Sequence, residues 1–385
     1  MEKRKIIDKG IKNVFLFLAL ISTIVIFLIF IFLFKESMGL YGESYLEFGT
    51  KCILNDKNPV SKLTARQIYD IYNENIMNWR EFDWEDRDIF YIDDYLAEKH
   101  DKSVLELVSE KPGAIGVVFK SDLKNAPKNI KVIDVQNISF FSFLIGTTWK
   151  PTATPTHLFG IVPLIAGTLW VTISAVLFAI PISIACAVYL SEIAPLKIKS
   201  WLKPVIEVLA GIPSVVFGFF GLVVIVPRVK TLFGLNTGET ALSSAIMLAI
   251  MSLPTIISIS EDSINSVPKS LREGSLALGA SKWQTIYKVI IPAAKSGIVA
   301  SIILGIGRAV GETMTVLMIS GNAAIIPNSL LQPVRTLTGT IAAELGEAPQ
   351  QSSHYHALFG IAAVLFIITF TVNLTADLII NRKKL

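Results

Sequence analysis

Two opposite charges stand inside an otherwise apolar stretch of this sequence. Arg308 and Glu312, followed by Thr313, lie within a span that runs from about residue 297 to residue 320. An ionisable group at bilayer depth costs roughly 2.5–3.5 kcal/mol on insertion scales, so such groups face a bundle interior or a water-filled path. Because the two charges are four residues apart, we expect them to share one helix face, where they could pair. We favour a role in lining a solute route. An ion pair that only fixes helix packing is the alternative.

A second polar segment separates two apolar stretches and has helix-capping patterns of its own. Ser270-x-x-Glu273 and Ser281-x-x-Gln284 are capping boxes, and each predicts the start of a short helix. Gly279 is placed to end the first helix in a left-handed C-cap. Two short, rigid helices at a membrane face would form a knob that fits a groove on a partner. An ordinary cytoplasmic loop is the alternative, and composition alone does not exclude it.

Patterns for enzymatic chemistry do not occur in the sequence. Its two cysteines, Cys52 and Cys186, and its four histidines have no metal-ligand spacing. The sequence contains no Gly-x-x-x-x-Gly-Lys-Ser/Thr loop, so we do not expect this chain to hydrolyse ATP. Its basic residues flank apolar spans and are not interleaved with exposed aromatic residues, which gives nucleic-acid binding no support. We therefore do not expect an enzyme, and we expect no metal or cofactor of the chain's own.

The composition is that of a polytopic membrane protein. Apolar residues make up 52% of the 385 residues, and the mean hydropathy is +0.57. A membrane-spanning helix needs about 20 apolar residues, and six stretches qualify. They lie at about Val14–Phe34, Gly160–Leu190, Pro204–Val226, Ala241–Ser260, Gly297–Ser320 and His356–Ile380. The first is too long for a secretory signal and is followed by no small-residue cleavage site, so we interpret it as an anchor.

The distribution of Lys and Arg predicts the orientation of the spans. The N-terminal tail, two loops and the C-terminal tail on one side hold 16 of these residues, and the short loops on the other side hold 3. Because cytoplasmic loops carry the excess of positive charge, we expect both termini and the polar segment at about 261–296 to be cytoplasmic, in a cell membrane. The C-terminal part of this count rests on Arg382, Lys383 and Lys384.

One long segment between the first two spans does not fit a purely membrane-embedded chain. Residues 45–150 hold 17 acidic and 14 basic residues, a net charge of −3. Leu63–Tyr72 is typical of an amphipathic helix with Thr64 near its start. Pro112–Phe119 is typical of a turn followed by a buried strand, and Ile130–Val135 is typical of a strand of alternating polarity. We therefore predict three parts. These are a tail with the first transmembrane helix (1–44), a small extracytoplasmic α/β insertion (45–150) and an all-α membrane domain (151–385).

The polar segment resembles the EAA loop of ABC importer permeases. That pattern places a Glu, two small residues, a Gly and a Pro at fixed spacing, and here they are Glu273, Gly274, Ser275, Gly279 and Pro292. Gly274 and Ser275 replace the two alanines of the pattern. The resemblance implies a type I importer permease with six transmembrane helices, in which these residues couple the membrane domain to an ATPase subunit.

Four further stretches resemble phosphate importer permeases. Ala210–Gly218 and Ala277–Ala280 carry the general resemblance, and Arg308–Asn322 and Pro333–Glu344 resemble the PstC-type subunit. Met314 distinguishes the PstC pattern from that of its PstA-type partner. The resemblance implies a second homologous permease of the PstA type, two ATP-binding subunits and an extracytoplasmic phosphate-binding protein as partners. It also implies that Arg308, Glu312 and Thr313 belong to the transport pathway. A permease for sulfate, molybdate or phosphonate, and a membrane phosphate sensor, are the alternatives.

The insertion resembles part of a phosphate-binding protein. Lys57–Tyr72, Ile76–Trp79 and Pro112–Gly116 carry this resemblance. About a hundred residues are too few for the two lobes that close on an anion, and no phosphate-cradling loop is evident. We expect a lobe on which the binding protein docks. An inert spacer and a functional anion site are the alternatives.

Overall fold

A computed structural model describes residues 2–381 of the chain. Arg382, Lys383 and Lys384, which entered the orientation count, lie outside the described residues. Contacts divide the chain into two units. The first runs up to Ile161 and includes Pro349–Gly360, and the second comprises Val162–Ala348 and the residues from Ile361 onward.

Sixteen α-helices occur within residues 2–381. They are α1 (Glu2–Met38), α2 (Ala65–Tyr72), α3 (Asp94–Lys99), α4 (Val104–Glu110), α5 (Phe140–Ile145), α6 (Val162–Val188), α7 (Leu196–Gly211), α8 (Ser214–Phe220), α9 (Val226–Phe233), α10 (Ala241–Asn265), α11 (Lys269–Ala277), α12 (Lys282–Thr285), α13 (Ile291–Val310), α14 (Met314–Ile319), α15 (Leu337–Glu344) and α16 (Ser353–Asn381). Three π-helical turns, Tyr189–Ile193, Gly221–Ile225 and Ile286–Ile290, extend or join neighbouring helices.

The predicted six spans are confirmed, but the third and the fifth have bounds well away from those predicted. The helical stretches long and apolar enough to cross a membrane, within the described residues, are Ile11–Met38, Val162–Ile193, Ser214–Phe233, Ala241–Asn265, Lys282–Val310 and Ser353–Thr375. The third was predicted to start at Pro204. It starts at Ser214, because the chain turns at Pro213 and α7 is a separate helix. The fifth was predicted as Gly297–Ser320, but it starts earlier and ends at Val310, where Gly311 caps the helix.

The insertion folds around a five-stranded sheet, which contains the two strands that the sequence predicted. The strands are β1 (Thr50–Asn55), β2 (Lys62–Leu63), β3 (Phe90–Ile92), β4 (Ala114–Phe119) and β5 (Ile130–Val135), in the spatial order β2-β5-β1-β4-β3. A small antiparallel pair, β6 (Trp149–Lys150) and β7 (Leu158–Phe159), follows.

Local sequence explains the helix that leads into this sheet. Thr64 caps α2 by a full capping box with Gln67, so the predicted helix start is confirmed. The helix buries Ile68 and Ile71 against Leu54 of β1 and the fully buried Trp79.

The predicted fold class, an all-α membrane protein with a small α/β insertion, is confirmed by the six apolar helices and by the five-stranded sheet.

The membrane unit is built around α10. It packs on one side against α6, where Val171 and Ala175 meet Ala245, and on another against α13. Small residues allow these helices to pack closely. Gly305 of α13 shows this, since a Cβ added there would lie only 2.7 Å from the Ile256 side chain of α10. Such close approach is how helices associate where water supplies no hydrophobic driving force.

Candidate functional site

The polar segment forms a short helix that ends at a glycine, as predicted. Gly279 has φ +83°, its N–H donates to Leu276 O at 3.0 Å, and the N–H of Ala280 donates to Ser275 O at 3.2 Å. These two bonds together form a Schellman motif, which needs a left-handed residue at this position. The predicted C-cap of α11 is confirmed.

The two predicted capping boxes have different outcomes. Ser281 caps α12 with a full capping box to Gln284, so the second is confirmed. The first is wrong. Helix α11 begins at Lys269 after Pro268, which places Ser270 inside the first turn, where its hydroxyl does not cap the helix. The chain turns here at the proline, which fixes its own φ and needs no side-chain cap.

The second helix of the knob is continuous with a transmembrane helix. Helix α12 runs through the π-helical turn Ile286–Ile290 into α13. Pro292, predicted to close the coupling segment, lies in the first turn of α13, directly after the π-helical turn. The knob therefore comprises α11, the Gly279 turn and the N-terminal end of the fifth span.

Arg272 fastens α11 to two other parts of the membrane unit. Its guanidinium donates to Glu192 Oε1 at 2.9 and 3.1 Å, to Val267 O at 2.6 Å and to Ile264 O at 2.8 Å. Glu192 lies in the π-helical turn after α6, and the two carbonyls lie at the end of α10. One side chain thus joins three elements. Sequence analysis missed both residues, because they are 80 positions apart.

A buried carboxylate near the end of α10 joins this helix to α7. Glu261, only 1% exposed, forms ion pairs with Lys199 at 2.8 Å and with Lys203 at 3.3 Å. The two lysines are one turn apart on α7, so they reach the carboxylate from the same side. This cluster joins α7 to α10. The spacing of the lysines was visible in the sequence, but their partner was not.

The surface of the knob is apolar and uncovered. No residue of α11 is buried, and Glu273 and Gly274 are exposed. Leu278 is 91% exposed, and Trp283 is also exposed. An apolar patch on a rigid, polar-rimmed projection is typical of a protein–protein contact.

The intramembrane charges lie at a helix break and not on one helix face. Helix α13 ends at Val310, and α14 begins at Met314. Arg308 donates to Thr255 Oγ1 at 3.2 Å, and Glu312 Oε1 accepts from the N–H of Thr315 at 3.2 Å. Among the described residues no ion pair joins Arg308 to Glu312, so the predicted pairing is wrong. Gly311 ends the helix between them and removes the geometry of residues four apart.

Threonine hydroxyls join the residues at this break to neighbouring helices, and one of them satisfies the carbonyl of Glu312 within the break. Thr315 Oγ1 donates to Ser214 O at 2.8 Å, at the start of α8, and Thr338 Oγ1 donates to Glu312 O at 2.8 Å, at the start of α15. Broken helices at membrane depth are stable where neighbours supply such partners. Arg308 is exposed here, whereas Glu312 and Thr313 are half-buried. The break therefore leaves the Arg308 guanidinium exposed on the unit.

Comparisons with known proteins agree with this architecture. Residues 179–382 match the family described as binding-protein-dependent transport system inner membrane component. The chain is 41% identical over 257 residues to the probable ABC transporter permease protein YqgH of Bacillus subtilis, over 67% of this chain and 83% of the relative. It is 35% identical over 271 residues to the phosphate transport system permease protein PstC of Xylella fastidiosa, over 66% and 81% of the two chains.

One solved structure with a similar chain is that of the inward-facing MetNI methionine ABC transporter. The TM-score is 0.46 at 21% identity, over 58% of this chain and 95% of that one. The sequence relatives are permease proteins of transport systems, which confirms the predicted resemblance to PstC-type permeases and the prediction of a transport subunit that is not an enzyme. With its six apolar helices, this multi-pass membrane protein belongs to the binding-protein-dependent transport system inner membrane component family.

Proposed function

We propose that this chain is one permease subunit of an ATP-driven phosphate importer, with both termini in the cytoplasm. The observation that carries the proposal is the exposed guanidinium of Arg308 at a helix break inside the membrane unit. A permanently charged, planar group with several donors suits an oxyanion better than any other side chain does. The relative from Xylella fastidiosa is named for phosphate transport, which supports phosphate as the anion.

A second homologous permease, of the PstA type, would complete the pathway. Arg308 is exposed on its own unit, so it needs a facing surface to exclude lipid and hold an ion. Glu312 holds the start of α14 through the N–H of Thr315. In this proposal Thr313, half-buried beside it, supplies a hydroxyl to the same route.

The knob would couple this permease to one of two ATP-binding subunits. Its uncovered apolar residues, Leu278 and Trp283, would enter a groove on that subunit, with Glu273 and Gly274 at the contact. Ser275 lies within 3.0 Å of Thr285 through their hydroxyls, which ties the two arms of the knob together. Rigid attachment of this kind transmits a displacement to the spans.

The insertion would dock the extracytoplasmic phosphate-binding protein and bind no phosphate itself. Its large cavity, about 1160 Å³, is lined by seven carboxylates and a single lysine, Lys102. The carboxylates are Glu47, Asp93, Asp94, Glu98, Asp101, Glu106 and Asp122. Hydrogen bonding from the Ser103 backbone holds the pKa of Glu106 below its usual range. A cleft with this charge repels phosphate and attracts a basic surface.

Phosphate uptake into vesicles that hold the assembled transporter tests the pathway. Arg308→Gln keeps a polar side chain but shortens it and removes its charge, and we expect it to abolish uptake while the subunits still assemble. Thr255→Val is the matched control. It keeps the Arg308 charge and removes the hydrogen bond through which α10 holds the guanidinium, so we expect it to reduce uptake without abolishing it. Normal uptake by the Arg308→Gln transporter would refute the proposed route.

Competition with other oxyanions tests the choice of phosphate. Excess unlabelled phosphate should suppress uptake of labelled phosphate by the wild-type transporter, and sulfate, molybdate or a phosphonate at the same concentration should not. Suppression by one of those anions and not by phosphate would assign the permease to that anion.

A further inference from the structure

Helix α5 (Phe140–Ile145) presents apolar side chains outward from a highly charged insertion. Phe141 is 72% exposed, Ile145 is 69% exposed and Phe140 is 50% exposed. Residues 138–149 contain no Asp, Glu, Lys or Arg, although residues 45–150 as a whole contain 17 acidic and 14 basic residues. A cluster of exposed aromatic and aliphatic groups on an otherwise charged surface marks a contact.

The inner face of α5 is fixed to the end of the first transmembrane helix. The Tyr41 ring lies three residues beyond the end of α1, 5.7 Å from the Phe140 ring and 6.4 Å from the Phe143 ring. The N–H of Gly42 donates to Ile138 O at 2.9 Å, and the N–H of Ile138 donates to Glu43 O at 2.8 Å. Helix α5 therefore lies at the level where this span ends.

The first turns of α16 fix the same level. His356 Nδ1 lies 2.8 Å from Glu36 O, near the end of α1, and the Ser353 hydroxyl hydrogen-bonds the Glu43 carboxylate. The buried Phe143 ring packs on Gly360, where an added Cβ would lie 2.8 Å from the ring. Helix α5 thus rests against the ends of two apolar helices.

The exposed face of α5 continues a surface that must face lipid. Helix α1 is strongly apolar from Ile11 to Met38, and its side chains are exposed over most of that length, Phe27 at 61% for example. A spanning helix of this kind contacts lipid, and aromatic residues at its ends lie among the headgroups. Phe140 and Phe141 begin where that apolar surface stops. No charged side chain on α5 would have to be dehydrated there.

We propose that α5 is a lipid anchor that holds the insertion against the membrane surface. Its three exposed apolar side chains would enter the boundary between headgroups and acyl chains of the leaflet on the side of the insertion. This inference does not depend on which solute the permease carries. Helix α5 would be a third point of attachment to the membrane, besides the two chain connections of the insertion. It would thereby fix the height of the acid-lined cavity above the membrane.

Depth-dependent quenching in vesicles tests the anchor. The full chain would carry Phe141→Cys in a Cys186→Ser background and be labelled with an environment-sensitive fluorophore. Cys52 is fully buried, and burial raises the pKa of its thiol to about 12, so it stays unlabelled while the insertion is folded. Tyr95→Cys is the matched control, because Tyr95 is an aromatic residue of the same domain with 73% exposure, on the acidic helix α3.

We expect nitroxide lipids to quench the label at position 141 at least about twofold more than the label at position 95, because quenching requires insertion into the lipid phase. A label at position 145, introduced through Ile145→Cys, should also be quenched more than the label at position 95. Adding Phe141→Asp to that chain should lower the quenching at position 145 to the level at position 95, while Cys52 stays protected. Equal quenching at positions 141 and 95 would overturn the proposal. A blue-shifted label at position 141 without lipid quenching would also overturn it, because a protein would then cover α5.

Discussion

A pair of glycines in the knob allows backbone conformation to be tested without steric change. Gly274 and Gly279 are five residues apart, both are exposed, and a Cβ added to either would meet no atom within 4 Å. They differ in conformation. Gly274 lies inside α11, whereas Gly279 has φ +83° in the C-cap. Alanine at each position therefore adds the same methyl group to open space, in two different backbone conformations.

The two substitutions should change the stability of the knob in opposite directions. A left-handed backbone costs a residue with a Cβ about 1–2 kcal/mol, so Gly279→Ala should increase opening of the knob about 5- to 30-fold. Alanine inside a helix is more stable than glycine by about 0.5–1 kcal/mol, so Gly274→Ala should reduce opening about 2- to 5-fold. The β-branched Gly279→Val should cost more than the alanine does.

Hydrogen exchange of peptides that cover residues 269–285 measures this opening in the full chain. We expect faster exchange in Gly279→Ala and slower exchange in Gly274→Ala, with no change in the transmembrane peptides. In the assembled transporter, Gly279→Val should also lower ATPase co-purification or uncouple hydrolysis from uptake. Exchange that changes in the same direction in both alanine variants would refute the assignment of the cost to backbone conformation.

Three further predictions follow from buried or clustered charges. Glu261→Gln should lower the free energy of unfolding of the membrane unit by about 1–3 kcal/mol, because the ammonium groups of two partly buried lysines lose the carboxylate that they bind. Asp262→Asn is the control, because Asp262 is 72% exposed and 3.7 Å from Lys203, and it should change the unfolding temperature little. Cys52 should resist maleimide at pH 8.5 until the protein is denatured. Burial raises the pKa of its thiol from 9.0 to about 12, so unfolded chains lose this proton at a lower pH than folded chains do. The free energy of unfolding of the insertion should therefore fall as the pH rises above 9. Millimolar phosphate should leave hydrogen exchange of residues 45–150 in the full chain unchanged, and protection by phosphate would show that the acid-lined cavity binds it.

Local sequence was enough to predict the elements whose ends carry their own signals. Thr64 and Ser281 start helices through capping boxes, and Gly279 ends one in a left-handed conformation. Each signal acts within about four residues, so neighbouring chain segments do not override it. The Ser270 pattern failed because a second local signal lies beside it. Pro268, two residues earlier, already sets the start of α11.

The candidate site needed information that no short window contains. Apolar residues continue on both sides of Gly311, so periodicity predicted one helix where the structure has a break. At the break, Thr338 donates to the carbonyl of Glu312, 26 residues away, and Thr315 joins α14 to Ser214 of α8, 101 residues away. Residue type showed that Arg308 and Glu312 were unusual, but only their partners show that they do not form a pair.

Both candidate sites are attached to one helix, and this gives the coupling proposal a physical path. Arg272 of the knob binds the carbonyl of Ile264 in α10, and Arg308 binds Thr255 of the same helix. The two attachment points are nine residues apart, a distance of about 14 Å along an α-helix. Between them α10 is a continuous helix packed against α6 and α13. Close-packed helices shift as rigid bodies more readily than they deform. A displacement of the knob should therefore move Thr255, and with it the guanidinium that we place on the transport route.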